Sequence, residues 1–198
     1  PLATEVEPYI NTSNAPPFYL LIETGGSNID HDVEKMNQFI EMCMSKDLII
    51  SGTLAETQAQ INHIWSLREN AATAMKYNGY IYKYDISLPL SHMYSLVEYM
   101  RHKLNKIAKE EDQLLVVGYG HLGDGNLHLN VNTKQYNEAI FNAIEPDIFH
   151  QVAKYNGSIS AEHGLGQNKN QYLHLNKGTH EIQLMQQIKQ LFDPNNII

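Results

Sequence analysis

From residue 80 onward, apolar and polar positions switch between a two-residue and a three-to-four-residue period, and each switch predicts an element. Tyr80, Tyr82, Tyr84, Ile86 and Leu88 share one face of a strand over residues 80–88, with Lys83 and Asp85 on the other. Met93, Leu96, Val97, Met100, Leu104 and Ile107 form the stripe of an amphipathic helix over 91–109. A hairpin follows over 114–133, then a helix over 137–155, a short strand over 158–162 and a last helix over 180–192. Upstream, the pattern predicts a strand at 18–23, a helix at 30–46, a second short strand within 47–53 and a long helix at 57–77. That last helix carries Ile61, Ile64, Trp65, Ala71, Ala72 and Met75 on its apolar face, and Arg68 falls on the same face. A buried arginine must extend to solvent or meet an anion. Residues 1–16, with three prolines and an Asn-Thr-Ser-Asn run, read as a linker, which leaves 17–198 as one domain. Strands alternate with helices, but the clearest strand pair is a hairpin. The expected class is therefore α+β, an antiparallel sheet with helices packed on it, rather than a doubly wound parallel sheet.

The hairpin carries the chemistry. Asp124-Gly125 is a two-residue type I′ turn signal. A turn there sets His121 opposite His128 and Tyr119 opposite Asn130, with opposed Cβ atoms about 5 Å apart. That spacing suits two imidazoles on one metal. Leu127, Leu129 and Val131 take the apolar face, and Asn126, His128 and Asn130 the polar one. Gly118-Tyr-Gly120-His-Leu-Gly123 also satisfies the dinucleotide pattern G-x-G-x-x-G. A nucleotide fingerprint must open a helix, whereas this one turns into a strand, so the pattern does not carry that function.

A second motif, Ser-Ile-Ser-Ala-Glu-His-Gly-Leu-Gly, occupies residues 158–166. Glu162 and His163 would face opposite ways in a straight strand, but Gly164 and Gly166 permit a sharp bend that turns both to one cavity. Two histidines and a glutamate make a site with open positions, the arrangement of a catalytic metal rather than a structural one. His31, His102 and His180 read as solvated helix residues.

Composition narrows the class. The 198 residues hold 14 Lys and Arg against 22 Asp and Glu, with no basic cluster for a nucleic acid or an anionic membrane. No apolar run reaches the roughly 20 residues of a membrane span. The single cysteine, Cys43, excludes an internal disulfide and fits a reducing compartment. It shares a helical stripe with Val33, Met36, Phe39, Ile40 and Met44, which makes it a core residue. The chain begins at Pro1 without a signal sequence and reads as a fragment.

The hairpin and Glu-His motifs, with Tyr80-Ile-Tyr-Lys-Tyr-Asp-Ile-Ser-Leu-Pro89 and Trp65-Ser-Leu-Arg-Glu69, resemble the C-terminal portion of the FAD-linked 2-hydroxy-acid dehydrogenases. The resemblance runs from about residue 17 to 198 and is nearest the branch that oxidises D-2-hydroxyglutarate, with D-lactate-oxidising relatives. It implies the substrate (cap) domain of the vanillyl-alcohol-oxidase-type flavoproteins, α+β with a large antiparallel sheet. In that family an FAD-binding domain precedes this one, and the fragment is expected to leave it out, to bind FAD mainly through it and to be inactive alone. The resemblance makes His121, His128 and Glu162 the metal ligands and His163 the catalytic base. Arg68 and Lys83 become the carboxylate-holding pair, and Asn130 a further substrate contact. One departure is that Ala72, followed by Thr73, stands where close relatives have a hydroxyl residue.

The implied chemistry is oxidation of a D-2-hydroxy acid with a divalent metal, zinc by expectation, orienting the substrate. Manganese, cobalt or ferrous iron fit the same ligand types. The resemblance also implies a mitochondrial setting, with a cytoplasmic one as the alternative. Two other classes stay open: a metal-dependent hydrolase using His163 or Glu162 with a water, and an interaction module, since some yeast relatives carry an actin-interacting label. The electron acceptor and the oligomeric state are not legible.

Overall fold

A computed structural model describes residues 16–77 and 79–197. The linker expected at 1–16 lies outside them except for Pro16. The chain falls into two compact units that divide between Ala74 and Met75.

The first unit is helical. Helix α1, Ile29–Ser45, starts at Asn28, whose side chain accepts a hydrogen bond from His31 N at 3.2 Å, and Asp30 and Asp32 lie in its first turn. Both features suit the orphan N–H groups and the positive dipole end there. Cys43 is buried, as its stripe position implies. Helix α2, Gln58–Glu69, begins with a Thr57/Gln60 capping box. The long helix expected over 57–77 is interrupted at Asn70, and α3 covers Ala71–Lys76. Asparagine competes for its own backbone, which weakens it inside a helix. The strands expected at 18–23 and 47–53 are not formed among the described residues. Asp47 takes a left-handed conformation at φ 54°, which breaks the extended backbone a strand at 47–53 would need.

The second unit holds the sheet. Strand β1, Tyr80–Ser87, leads into α4, Leu90–Leu104, then β2, Leu115–His121, and β3, Asn126–Thr133. All pairing is antiparallel in the order β1-β3-β2, so β3 is central. The sheet is thus three-stranded in the described residues, smaller than the resemblance implies. One face buries Tyr82, Tyr84, Ile86, Val116, Leu127, Leu129 and Val131 against Leu96, Val97 and Met100 of α4 and the apolar sides of α5, Glu138–Ile144, and α6, Asp147–Lys154. Leu129 is fully buried, and truncating it to alanine would cost about 2–5 kcal/mol. Gly118 is part of this packing: a Cβ there would stand 2.7 Å from Val97 Cγ2. The glycines of the G-x-G pattern thus let a helix and a neighbouring strand come close to β2, and bind no nucleotide turn.

The helix expected over 137–155 is two helices, because Pro146 has no N–H and cannot continue the ladder. The strand expected at 158–162 reduces to one bridge, Ser87 with Ser158, at the outer edge of β1. A short 3₁₀ helix, Asn170–Leu175, precedes α7, Thr179–Phe192.

The hairpin register differs from the expected one. His121 pairs with Asn126, and Tyr119 with His128. The connection is longer than two residues: a 3₁₀ turn, Leu122–Asp124, followed by Gly125 at φ 72°. Asp124 Oδ1 accepts from Asn126 N at 3.0 Å, and Gly125 O accepts from Leu88 N at 3.0 Å. These bonds hold the loop open at the wider geometry. The slip is two residues, so every side chain keeps its face.

Candidate functional site

The face of the sheet away from the core carries Lys83 and Asp85 from β1, Tyr119 and His121 from β2, and Asn126, His128 and Asn130 from β3. Asp85 and His128 are register partners, as are Lys83 and Asn130. The Ser87–Ser158 bridge then delivers the 160–164 turn onto Asp85. Ser160 Oγ donates to Gly164 O at 2.6 Å and closes that turn, and Gly164 and Gly166 take positive φ of 74° and 56°. Both values are easy for glycine and strained for other residues.

The turn brings two side chains to His128. Glu162 Oε1 lies 3.2 Å from His128 Nε2 and 3.5 Å from His163 Nε2. Glu162 and His163, predicted from adjacent positions to share one cavity, therefore do meet His128 at one place. A ligand atom from each of Asp85, His128, Glu162 and His163 falls within 4.8 Å of the others. His121 is outside that group, although its ring centroid stands 5.7 Å from that of His128. Asn130 is buried, and its Nδ2 donates to His128 O at 3.2 Å. Lys83 is exposed at its register position opposite Asn130. Arg68 belongs to the first unit and is half-buried there. His31, His102 and His180 are exposed, as expected of solvated helix residues.

Asp85 is the residue that sequence reasoning left without a role. Its carboxyl is only 7% exposed. Burial alone would raise its pKa, but backbone N–H donors from Glu162 and His163 and the nearby imidazoles of His163 and His128 prevail and hold it below the ordinary carboxylate value. Lys169 was also missed. Its Nζ donates to Asp85 O at 3.3 Å and to Ile159 O at 3.1 Å, tying β1 to the segment that ends in the Glu-His turn. Burial pushes the Lys169 ammonium down in pKa, against the pull of Asp85 and Glu145. The available signal was an acid on a strand whose other residues are tyrosines, isoleucines, one lysine and one serine.

The donor set is two carboxylates and two imidazoles, and Asp85 Oδ1 is a buried oxygen with no hydrogen-bond partner among the described residues. Nitrogen and oxygen donors of this kind fit a divalent cation of the zinc, manganese or ferrous type.

A family model described as "FAD linked oxidases, C-terminal domain" matches residues 5–198. The chain belongs to the FAD-linked oxidase C-terminal domain family. Among its relatives in this family, the mitochondrial D-2-hydroxyglutarate dehydrogenase of Danio rerio is 46% identical over 182 residues, covering 92% of this chain and 33% of that protein. A putative mitochondrial D-lactate dehydrogenase of Schizosaccharomyces pombe is 39% identical, covering 92% and 36%. A D-2-hydroxyglutarate–pyruvate transhydrogenase of Saccharomyces cerevisiae is 40% identical, covering 91% and 37%. The chain spans about a third of the length of these relatives. No helix among the described residues is long and apolar enough to cross a membrane.

Proposed function

We propose that this chain is the substrate- and metal-binding part of an FAD-dependent dehydrogenase that oxidises a D-2-hydroxy acid, D-2-hydroxyglutarate before others, to the 2-oxo acid. The observation that carries the reading is a single carboxylate oxygen, Glu162 Oε1, standing between the Nε2 atoms of His128 and His163 on the polar face of a family-typical domain. His121, His128 and Glu162 are the proposed metal ligands. A divalent cation held by these residues would supply a Lewis acid able to lower the pKa of a hydroxyl bound to it. FAD, bound mainly by a domain beyond this chain, supplies the hydride acceptor.

The chain's own residues do the rest. His163 takes the hydroxyl proton at Nε2, the ring atom that faces Glu162. It is the most solvent-exposed member of the group, with 68% of its side chain accessible, so a proton accepted there has a path to water. Asn130, buried and anchored to the His128 carbonyl, presents its remaining amide capacity to the substrate. Lys83 and Arg68 bind the distal carboxylate, the arginine by a bidentate fork.

D-lactate is the second reading, favoured by the name of the S. pombe relative. The relatives named mitochondrial support that compartment for this protein too. The test is a visible spectrum and metal analysis of the intact protein carrying this chain, with D-2-hydroxyglutarate and D-lactate assayed against an artificial electron acceptor. A flavin spectrum, one bound divalent ion and preference for the dicarboxylate are expected. Hydrolysis of esters or amides without flavin would overturn the reading.

A further inference from the structure

We propose that Asp85 is the positioning residue of this centre: one carboxylate oxygen holds the Glu162–His163 turn in place while the other sets the tautomer of His128. The inference rests on the reading above, in which His128 and Glu162 bind a cation and His163 is the base.

Asp85 and His128 are register partners on β1 and β3, so both side chains leave the same face. Asp85 Oδ2 accepts from two consecutive main-chain N–H groups, Glu162 N at 2.9 Å and His163 N at 3.0 Å. Those two bonds fix the backbone from which both functional side chains project. Lys169 holds the Asp85 carbonyl in turn, so the acid is anchored at main chain and side chain. Asp85 Oδ1 is buried and without a hydrogen-bond partner among the described residues, and it stands 3.7 Å from His128 Nδ1. That separation is longer than a hydrogen bond. It nevertheless places the only acceptor of the carboxylate left over beside the imidazole nitrogen that points away from Glu162, the place where a metal-binding histidine has its carboxylate partner.

The consequence is electronic. An acceptor beside Nδ1 favours the proton there and leaves the Nε2 lone pair facing Glu162, where the cation is held. An asparagine at position 85 keeps an oxygen for the two N–H groups but turns an NH₂ toward Nδ1. Nδ1 must then accept, and the proton moves to Nε2, which blocks ligation. The substitution thus separates the two roles of Asp85.

The experiment uses the intact chain labelled with ¹⁵N-histidine, and zinc as the probe. In the unsubstituted chain, long-range ¹H–¹⁵N spectra of neutral His128 are expected to show the Nδ1–H tautomer, and finding Nε2–H overturns the proposal without any variant. Asp85→Asn is expected to show His128 as Nε2–H, to keep hydrogen-exchange protection at the Glu162 and His163 amides, and to bind zinc about 10- to 100-fold more weakly in a chelator competition. An unchanged tautomer and zinc affinity in Asp85→Asn overturns it. His128→Ala separates the two readings: if it loses zinc while Asp85→Asn does not, only the role of Asp85 fails, and if it retains zinc at full affinity, the metal reading itself falls.

Discussion

Lys103 Nζ lies 2.6 Å from Asp147 Oδ2, joining the last turn of α4 to the first turn of α6. Tyr99 OH donates to the same oxygen at 2.8 Å, and Gln151 Nε2 to Oδ1 at 3.3 Å. Burial works against this carboxylate, but the donors from Lys103, Tyr99 and Gln151 prevail and hold its pKa below the ordinary value. Both side chains remain partly exposed, at 30% and 25%, which limits the gain. Asp147→Asn is expected to lower stability by about 1–2 kcal/mol at neutral pH. Because the folded pKa is depressed, the contribution is full above the unfolded pKa of about 3.9 and is lost as pH falls through the folded value. Urea midpoints of the two proteins should therefore converge as the pH drops below about 4. A gap that stays constant through that range would show that the charge is not responsible.

Gly120 tests the hairpin. A Cβ there would stand 2.0 Å from the Asn126 carbonyl oxygen, a backbone atom that cannot swing away. Gly120→Ala is expected to cost more than about 2 kcal/mol. Gly123, in the 3₁₀ turn of the same hairpin, has nothing within 4 Å of its notional Cβ, and Gly123→Ala should stay within about 0.5 kcal/mol. Thermal melts of the pair measure the contrast, and equal losses would argue against the close approach of β2 to the start of β3.

His163 and the proposed ligands should separate by assay. In the intact enzyme His163→Ala is expected to lower turnover by about 10²-fold or more with metal content unchanged. His121→Ala and His128→Ala should lose metal, measured by elemental analysis. Loss of metal in His163→Ala would move that ring into the coordination sphere, which its 3.5 Å approach to Glu162 makes a sharp test.

Lys83 should discriminate substrates. Lys83→Ala is expected to reduce kcat/KM for D-2-hydroxyglutarate more than for D-lactate, by about 1–3 kcal/mol for a lost charged hydrogen bond, and Arg68→Ala should do the same. Equal losses on both acids would withdraw the distal-carboxylate role.

Facing was legible in the sequence where register was not. The two-residue period of β1 and β3 assigns Asp85, His128 and Asn130 to one side, and the two-residue slip of the hairpin preserves that parity. The register depended on the loop, and Asp124-Gly125 is used there as an Asx-type cap and a left-handed exit instead of a two-residue turn. Pro146 was visible as a helix breaker, and the helical stripe on either side of it masked the break. The upstream apolar runs matched strand composition, but β-propensity reflects a half-buried pleated setting that the run itself does not report. Asp85 escaped for a related reason. Its partners, the amides of Glu162 and His163, lie 77 and 78 positions along the chain, and no local pattern reports a contact of that range.

The central place of β3 orders events during synthesis. Tyr80–Ser87 leaves the ribosome first and Leu115–His121 next, but among the described residues neither has a ladder partner until Asn126–Thr133 follows, about forty residues behind β1. At roughly 5–20 residues per second that is a wait of about two to eight seconds. The Glu162–His163 turn arrives later still. A nascent chain stalled before residue 126 would therefore offer an unpaired β-edge to chaperones or to other chains, and no cation could speed its folding through the full cluster until Glu162 and His163 had been made.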